Sequence, residues 1–448
     1  MNEIHTPSAP LSVLVYPSGT ASAQEIQDAL KYCKQIRLFG GPDPSLPGDC
    51  VFRNCIEDLP SPDAPDLAEQ LNRCIDRHGI GFIFPADDRT LKRLSEMRAE
   101  LHAVVAAASA ETVEICLSGR KTFASLSDTE NAVSGGAGFL PVIWSAPDTV
   151  PVDAYPVFVS PDSRCSGIPS GKIADRSHLE EALAAEESCC ICEYLPGAEF
   201  TVDCFTDRHG ALKVIRPRTR ERIRAGLAVR SRTLEADEKI SAIAEEINRR
   251  IAFRGAWFFR LKCNAAGEYR LLRVSPRIAG SMGLTRAAGI NLPLLTLRLF
   301  AGLPDPPAAD YAGSGVQLLM DRAFASRFRT DITYDRVYVD FDDTLVLNGK
   351  VNPVLMQFLY QARNQGKELV LLTRHAADIH ADLAAFRIPE TLFTKIVSMD
   401  RTESKGEHVE PNSVFIDDSF AERKRVLEEK GIPVFDLDMV ESLMDPRN

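Results

Sequence analysis

Asp340, Asp342 and Thr344 stand at alternate positions in YVDFDDTL, where the apolar stretch VYVD opens into a loop. Two carboxylates two residues apart can divide the work of phosphoryl transfer, one attacking phosphorus to give an aspartyl-phosphate and the other handling the leaving-group and water protons. Further on, ELVLLT ends in Thr373, a hydroxyl suited to a transferring phosphoryl group, and SVFIDDS ends in the acid pair Asp417 and Asp418. Oxygen ligands of that kind are what a hard Mg²⁺ ion takes. Between them Lys405, in SKGEHV, offers a cation for phosphate oxygens and for the nucleophile's charge, with Lys395 as the competing lysine.

The elements that must position these groups are short apolar strands alternating with helices. Open α/β sheets bind ligands at the carboxyl ends of such strands. A lone D-x-D reads equally well as a helix cap or a solvated loop, but four motifs in order, DFDDT, LLT, Lys405 and IDD, are harder to explain that way. Together they closely resemble the haloacid-dehalogenase (HAD) superfamily over 334 to 440. The resemblance implies Asp340 as nucleophile and Mg²⁺ ligand, Asp342 as general acid/base and a further metal carboxylate, Thr373 and Lys405 as phosphate binders, and Asp417 with Asp418 at the metal. Only 28 residues, 345–372, separate the first motif from Thr373, room for one crossover helix and no inserted cap. An open site of this kind takes a large substrate or borrows a lid from another domain. His375, directly after the Thr373 loop, reads as a solvated loop histidine in preference to a substrate gate; His78 and His209 read as turn residues.

With 448 residues the chain is expected to hold two or three domains. Its 63 acidic and 52 basic side chains give a formal charge of −11, which argues against nucleic acid and against an anionic membrane surface as partners. No early apolar run reaches signal-peptide or membrane-spanning length, so a soluble, cytoplasmic protein is expected. The eleven cysteines read as reduced thiols. In CCICEYL, strand alternation sends Cys189 and Cys192 to opposite faces, which favours an inert strand over a metal or redox pair.

Upstream, residues 11–113 alternate strands (LSVLVY, IRLFG, IGFIFPA) with helices (AQEIQDALKYC, DLAEQLNRCIDR), a βαβ rhythm that favours a parallel sheet. Residues 114–332 add a helix from Arg120, strands YPVFVSP, CCICEYL, TVDCF, ALKVIRP, WFFRLKC and YRLLRVSP, and a charged helix near 235–251. A long Pro/Ala/Gly-rich loop (301–315) and the strand VQLLM close the segment. The absence of cysteine downstream marks a boundary near 330, and 333–448 form the last domain. The segments VLVYPSGTASAQEIQDALKY, IGFIFPADD, SGRKTFASL, CEYLPGAEFTVDCF, IRPRTRERIRAG and LLRVSPRIAGSMGLTRAAGINLP resemble, in order, the carbamoyl-phosphate-synthase-like branch of the ATP-grasp superfamily. That implies a Rossmann-like first lobe and α+β lobes holding ATP with Mg²⁺, followed by the cap-less HAD-type Rossmannoid domain, all of it α/β.

On that resemblance Lys121 meets the α- and β-phosphates, Glu199 the ribose hydroxyls, Glu193 belongs to the same nucleotide site, and Arg218, Arg220, Arg224 and Arg277 recognise phosphate or carboxylate. Other positions depart from the family. Ser160 replaces a second lysine, the flap DSRCSGIPSGK is poor in glycine, and Arg260, Arg273 and Ser275 stand where metal ligands belong. Arginine cannot coordinate a metal, and two guanidiniums would repel a divalent ion. Three readings follow for this module: ATP chemistry with arginines replacing the metal's charge, anion or nucleotide binding without turnover, or a scaffold. By its spacing alone IRPRTRERIR also fits a charged, solvated strand edge, and Asp87 and Asp88 fit helix capping as well as substrate contact.

The expectation drawn is a Mg²⁺-dependent phosphomonoester hydrolase acting at Asp340, fused to an ATP-grasp-like module that binds a nucleotide or a small anionic metabolite and lacks metal-dependent ligase activity. The alternatives are an ATP-dependent carboxylate–amine ligase with an accessory HAD phosphatase, and a non-catalytic nucleotide- or metabolite-binding protein. The cofactors expected are Mg²⁺ and, at the upstream module, ATP or another nucleotide. Substrate identity and oligomeric state are open.

Overall fold

The computed structural model describes residues 10–41, 52, 54–127, 138–162, 171–184, 189–322, 328–400 and 402–444. Most of the expected flap, 163–170, lies outside them. The chain forms two compact units, Met1–Met282 with Asn291–Asp305, and Gly283–Ile290 with Pro306–Asn448.

Unit 1 begins with the βαβ rhythm of its sequence. Strands β1 (Leu11–Tyr16), β2 (Ile36–Gly40), β3 (Phe82–Pro85) and β4 (Val104–Val105) form a parallel sheet in the order β2-β1-β3-β4. Helices α1 (Ala21–Leu30), α2 (Leu67–His78) and α3 (Asp88–Glu96) connect them. Two of these helices start on a side-chain cap: Thr20 accepts from the Ala23 amide at α1 and Asp87 from the Thr90 amide at α3, satisfying donors that a helix cannot pair internally. Helices α4 (Ala110–Leu117) and α5 (Gly119–Leu126) follow, the second opened by Ser118.

A small sheet, β5 (Ile143–Trp144), β6 (Val157–Pro161), β7 (Gly171–Ile173) and β8 (Cys189–Glu193), is ordered β5-β8-β6-β7, with helix α6 (Arg176–Ala184) between its last two strands. Along β8, Cys189 and Ile191 join one apolar cluster while Cys192 packs against another, the two-faced arrangement that alternation requires.

The strands that carry chemistry in unit 1 are β9 (Glu199–Thr206), β10 (Leu212–Thr219), β13 (Gly255–Cys263) and β14 (Tyr269–Ser275), an antiparallel sheet ordered β10-β9-β13-β14; between β10 and β13 lie β11 (Arg222–Arg224), β12 (Leu227–Arg232) and helix α7 (Glu238–Arg250). Val202, Cys204, Trp257, Phe259 and Leu261 cluster with Ile240, Ile243, Ala244 and Ile247 of α7. Phe253 and Trp257 stack at 4.1 Å between ring centroids. One face of the sheet is therefore a packed apolar core, and the alternate residues of every strand are committed to the other face.

Unit 2 holds an antiparallel pair, β15 (Leu318–Asp321) and β16 (Phe328–Thr330). Its main sheet is built from β17 (Arg336–Val339), β20 (Glu368–Thr373), β21 (Lys395–Ser398), β22 (Ser413–Ile416) and β23 (Val434–Phe435), all parallel, in the order β21-β20-β17-β22-β23. Its inner strands are near-continuous apolar runs because both faces are covered. Helices α8 (Pro353–Asn364), α9 (Ile379–Ala385) and α10 (Phe420–Lys430) serve as crossovers. After β17 the chain folds into a two-stranded hairpin, β18 (Val346–Leu347) and β19 (Lys350–Val351), turned by Asn348 and Gly349 at φ 50° and 69°, the left-handed pair that a two-residue hairpin demands. Among the described residues no helix is long and apolar enough to cross a membrane.

Candidate functional site

The face of the β10-β9-β13-β14 sheet opposite α7 gathers Glu199, Thr201 and Asp203 from β9, Arg218 from β10, Phe258 and Arg260 from β13, and Arg273 and Ser275 from β14. Register sets Arg260 opposite both Thr201 and Arg273, Phe258 opposite Asp203 and Ser275, and Arg218 opposite Thr201. Arg220, just past β10, is held by its amide on the Glu199 carbonyl.

These arginines are interior groups. Arg218 is 1% exposed, donating from Nη2 to Asp203 Oδ1 at 3.0 Å and from Nε to the Ser281 carbonyl at 3.0 Å. Arg220 pairs through Nε with Glu199 Oε1 at 2.6 Å and donates to the Gly226 carbonyl at 2.8 Å. Arg277 binds Asp88 Oδ1 at 2.5 Å and Ser22 Oγ at 3.0 Å. Arg273 and Arg277 both lie over the Phe258 ring, 5.5 and 5.6 Å from its centroid, so one aromatic side chain collects two guanidiniums. Arg260 donates to the Gly226 carbonyl at 3.2 Å, while its Nε is buried with no hydrogen-bond partner. Burial, and after it the charges of Arg273 and Arg220, push the Arg260 guanidinium well below its ordinary pKa. Burial lowers that of Arg220 as well, against the pull of Glu199 and with the push of Arg218. Two buried hydroxyls on the same face, Thr201 Oγ1 and Ser275 Oγ, have no hydrogen-bond partner either.

A divalent cation needs several oxygen ligands and no competing cations. Here Asp203 and Glu199 are each held by a guanidinium, and the residues facing one another across β13 and β14 are Arg260 and Arg273. This donor set does not fit Mg²⁺. It fits an anion.

The remaining upstream residues singled out in the sequence are dispersed. Lys121, half-exposed on α5, pairs with Glu114. Glu193 Oε1 accepts from the Val142 amide at 3.0 Å and lies 3.4 Å from Arg270 Nε. Arg224 is exposed on β11, unlike Arg218 and Arg220, so only the second half of IRPRTRERIR is the solvated edge that its spacing also allowed. Asp87 caps α3, whereas its neighbour Asp88 holds Arg277.

In unit 2 the parallel register pairs Val339 of β17 with Ile416 of β22, so Asp340 and Asp417, one residue further on, emerge side by side. Their carboxylates and that of Asp418 place ligand atoms within 4.8 Å of one another. Lys405, 3% exposed, reaches Asp340 Oδ1 at 2.9 Å and Asp417 Oδ2 at 2.6 Å. Burial first, and then the charge of Asp340, push Asp417 up to about 7, with Lys405 pulling the other way. Burial opposes the Lys405 ammonium, but Asp340 and Asp417 hold its pKa above the usual lysine value. Thr344 Oγ1 accepts from the Asp418 amide at 3.0 Å and fixes that turn. Thr373 Oγ1, at the end of the adjacent strand β20, is fully buried with no hydrogen-bond partner. Three clustered carboxylates, one of them pushed toward protonation by burial and by Asp340, fit a hard divalent cation.

Asp342 stands apart from that trio. Its carboxylate is half-exposed and binds His375 Nδ1 at 2.8 Å, while His375 Nε2 binds Asp382 Oδ2 at 2.6 Å. The solvated histidine expected after Thr373 is thus a largely buried bridge between two carboxylates, stacked edge-on to Phe341 at 5.0 Å. Asp382 and Asp203 escaped the sequence reading. For Asp203 a signal existed, since Glu199, Thr201 and Asp203 alternate in EFTVD; for Asp382, on a helix seven residues from His375, none did.

A family model described as an ATP-grasp in the biosynthetic pathway with the Ter operon matches residues 185–319. Among solved structures, the biotin carboxylase domain of the 2-oxoglutarate carboxylase of Hydrogenobacter thermophilus, solved with MgADP, ADP and bicarbonate, is similar at 13% identity and TM-score 0.56, over 69% of this chain and 74% of that one. The biotin carboxylase of Campylobacter jejuni, in a β-γ-ATP complex, is similar at 13% identity and TM-score 0.55, over 69% and 75%. The carboxyaminoimidazole ribonucleotide synthase of Aspergillus clavatus, complexed with ATP, is similar at 12% identity and TM-score 0.54, over 69% and 81%. No curated protein matches the sequence. About 70% of the chain thus has the ATP-grasp fold.

These likenesses overturn the functional ranking drawn from the sequence. The fold that covers most of the chain is that of carboxylases and synthetases, not of a phosphomonoesterase, and a module of this fold is not set aside as ligase-inactive because two positions carry arginine. The ligase alternative accommodates the likenesses and the hydrolase ranking does not.

Proposed function

We propose that the chain is an ATP-dependent ligase joining a carboxylate to an amine through an acyl-phosphate. The single observation that carries this reading is the gathering of Arg218, Arg220, Arg260, Arg273 and Arg277, set on and beside the central antiparallel sheet of an ATP-grasp fold. The chemistry takes two steps. A carboxylate oxygen of the acid attacks the γ-phosphorus of ATP, forming acyl-phosphate as ADP leaves. The amine then attacks the acyl carbon, phosphate departs and the amine loses a proton, giving amide, phosphate and ADP. Guanidiniums serve both steps, since they bind planar carboxylates and phosphate oxygens in the same forked geometry and stabilise charge as it moves to the leaving group. Glu199, held by Arg220, lies on the same face, whereas Lys121, Glu193 and Arg224 are not gathered with it. Ligases and carboxylases of this fold include ones solved with MgADP or with ATP, and a nucleotide is accordingly the proposed cofactor.

The second unit is proposed as an accessory phosphoryl-handling domain of the HAD type, occupying 333–448 beside ATP-grasp segments at 11–113 and 114–332. Asp340, Asp417 and Asp418 would hold Mg²⁺, which supplies charge neutralisation for a phosphoryl group. Lys405 bridges the two buried carboxylates and holds them side by side, Thr373 offers an uncommitted hydroxyl, and His375 orients Asp342 for proton transfer.

The test is trapping with hydroxylamine, an amine small enough to intercept an acyl-phosphate. A panel of carboxylic acids is incubated with ATP, and hydroxamate and ADP are followed together. Stoichiometric hydroxamate and ADP, dependent on one class of acid, is the expected result. ADP-free reaction mixtures with every acid would contradict the ligase.

A further inference from the structure

The mismatch between the arginine face and a divalent cation leads further. We infer that unit 1 binds the phosphate chain of its nucleotide through guanidinium groups alone, with no divalent cation in that site, and that the chain's Mg²⁺ requirement resides in unit 2. The inference rests on the ligase reading for the identity of the anion, a nucleoside triphosphate, but its physical ground is the charge on the sheet face.

Five guanidiniums, Arg218, Arg220, Arg260, Arg273 and Arg277, stand with the three carboxylates of Asp203, Glu199 and Asp88, which are bound by Arg218, Arg220 and Arg277. Across β13 and β14 the register sets two further guanidiniums, Arg260 and Arg273, opposite each other. An ion of like sign placed there would meet guanidiniums at short range. A phosphate chain meets the opposite situation. Arg260 Nε is an unused donor, Thr201 Oγ1 and Ser275 Oγ are buried hydroxyls with no partner, and all three lie on the same face within one step of register. Buried polar atoms are seldom left unpaired unless something else completes them, and guanidinium–phosphate pairs are charge-assisted and forked. Phe258 holds both Arg273 and Arg277 over its ring on that face.

The experiment is calorimetric titration of ATP into the full chain in excess EDTA and again in excess Mg²⁺. The inference expects binding in both conditions, with dissociation constants within about threefold of each other. Arg260→Gln and Arg273→Gln should each weaken binding by about tenfold or more in EDTA, as loss of one charge-assisted contact would. Thermal unfolding of each variant reports whether it folds. As a second check, Arg260→Glu restores an oxygen ligand to β13, so any binding it retains should depend on Mg²⁺. ATP binding seen only with Mg²⁺ would overturn the inference and leave the ligase intact. No ATP binding in either condition would remove the inference together with the ligase reading.

Discussion

On the sheet face of unit 1 the charge is built into the protein as guanidinium groups, and the carboxylates present are already held. At the strand ends of unit 2 the cluster is carboxylate, Asp340, Asp417 and Asp418, with the Lys405 ammonium on the first two. Both arrangements are strained as they stand, in opposite senses. Arg260 is pushed toward losing its proton and Asp417 toward gaining one, each by burial first and by a neighbour of like charge after it. A surplus of buried cations is relieved by an anion, and a surplus of buried anions by a cation. The sign of the surplus, more than the fold around it, says which partner each site is built to receive.

The sharpest way to break the comparison is Lys405→Met. It removes the charge between two buried carboxylates and should cost unit 2 about 3–5 kcal/mol, the usual penalty for leaving buried charge uncompensated, read from urea unfolding. Millimolar Mg²⁺ should restore part of the loss. A change below about 1 kcal/mol would mean that the lysine is not what holds those acids together.

Arg260→Gln is the mirror experiment, and its expected effect is smaller. Its guanidinium repels Arg273 and Arg220, so its removal should leave stability unchanged or raise it by up to about 1 kcal/mol in the absence of ligand. A loss of about 3 kcal/mol would show Arg260 to be structurally paired and would erase the contrast between the two faces.

The smallest effect is at His375. Burial disfavours its charged ring, but Asp342 and Asp382 outweigh that and raise its pKa above the ordinary histidine value. The folded-state value is therefore the higher one. The stabilisation it brings is fully present below the unfolded pKa of about 6.5 and fades as pH rises through the folded pKa. Proton NMR should find the His375 ring titrating above about 6.5, and Asp382→Asn should bring it down. An unshifted ring in the wild type would dissolve the bridge.

Much of the architecture was legible because it is local. The βαβ rhythm of 11–113 and the parallel strands of unit 2 follow from short apolar runs separated by capped helices, and Asp340, Thr373 and Asp417 sit at strand ends that periodicity alone locates. What escaped depends on pairing between distant segments. IRPRTRERIR repeats arginine at every second residue, which places Arg218 and Arg220 on one face but cannot say whether that face is wet. It is buried because β9 brings Glu199 and Asp203 against it and Ser281 caps Arg218 from 63 residues away. His375 looked solvated because its partners are 33 residues before it and 7 after it. Asp342 alternates with Asp340 in sequence, yet the turn at Phe341, whose carbonyl takes the amides of Leu345 and Val346, carries it away from the carboxylate trio to the histidine.

The central claim is that the arginine face performs the ATP chemistry and the carboxylate trio does not. Hydroxamate formation by Asp340→Asn and by Arg273→Gln, set against the wild type under identical ATP and acid, tests it most directly. The account predicts that the product persists in Asp340→Asn and is lost in Arg273→Gln. Loss in Asp340→Asn with persistence in Arg273→Gln would contradict it.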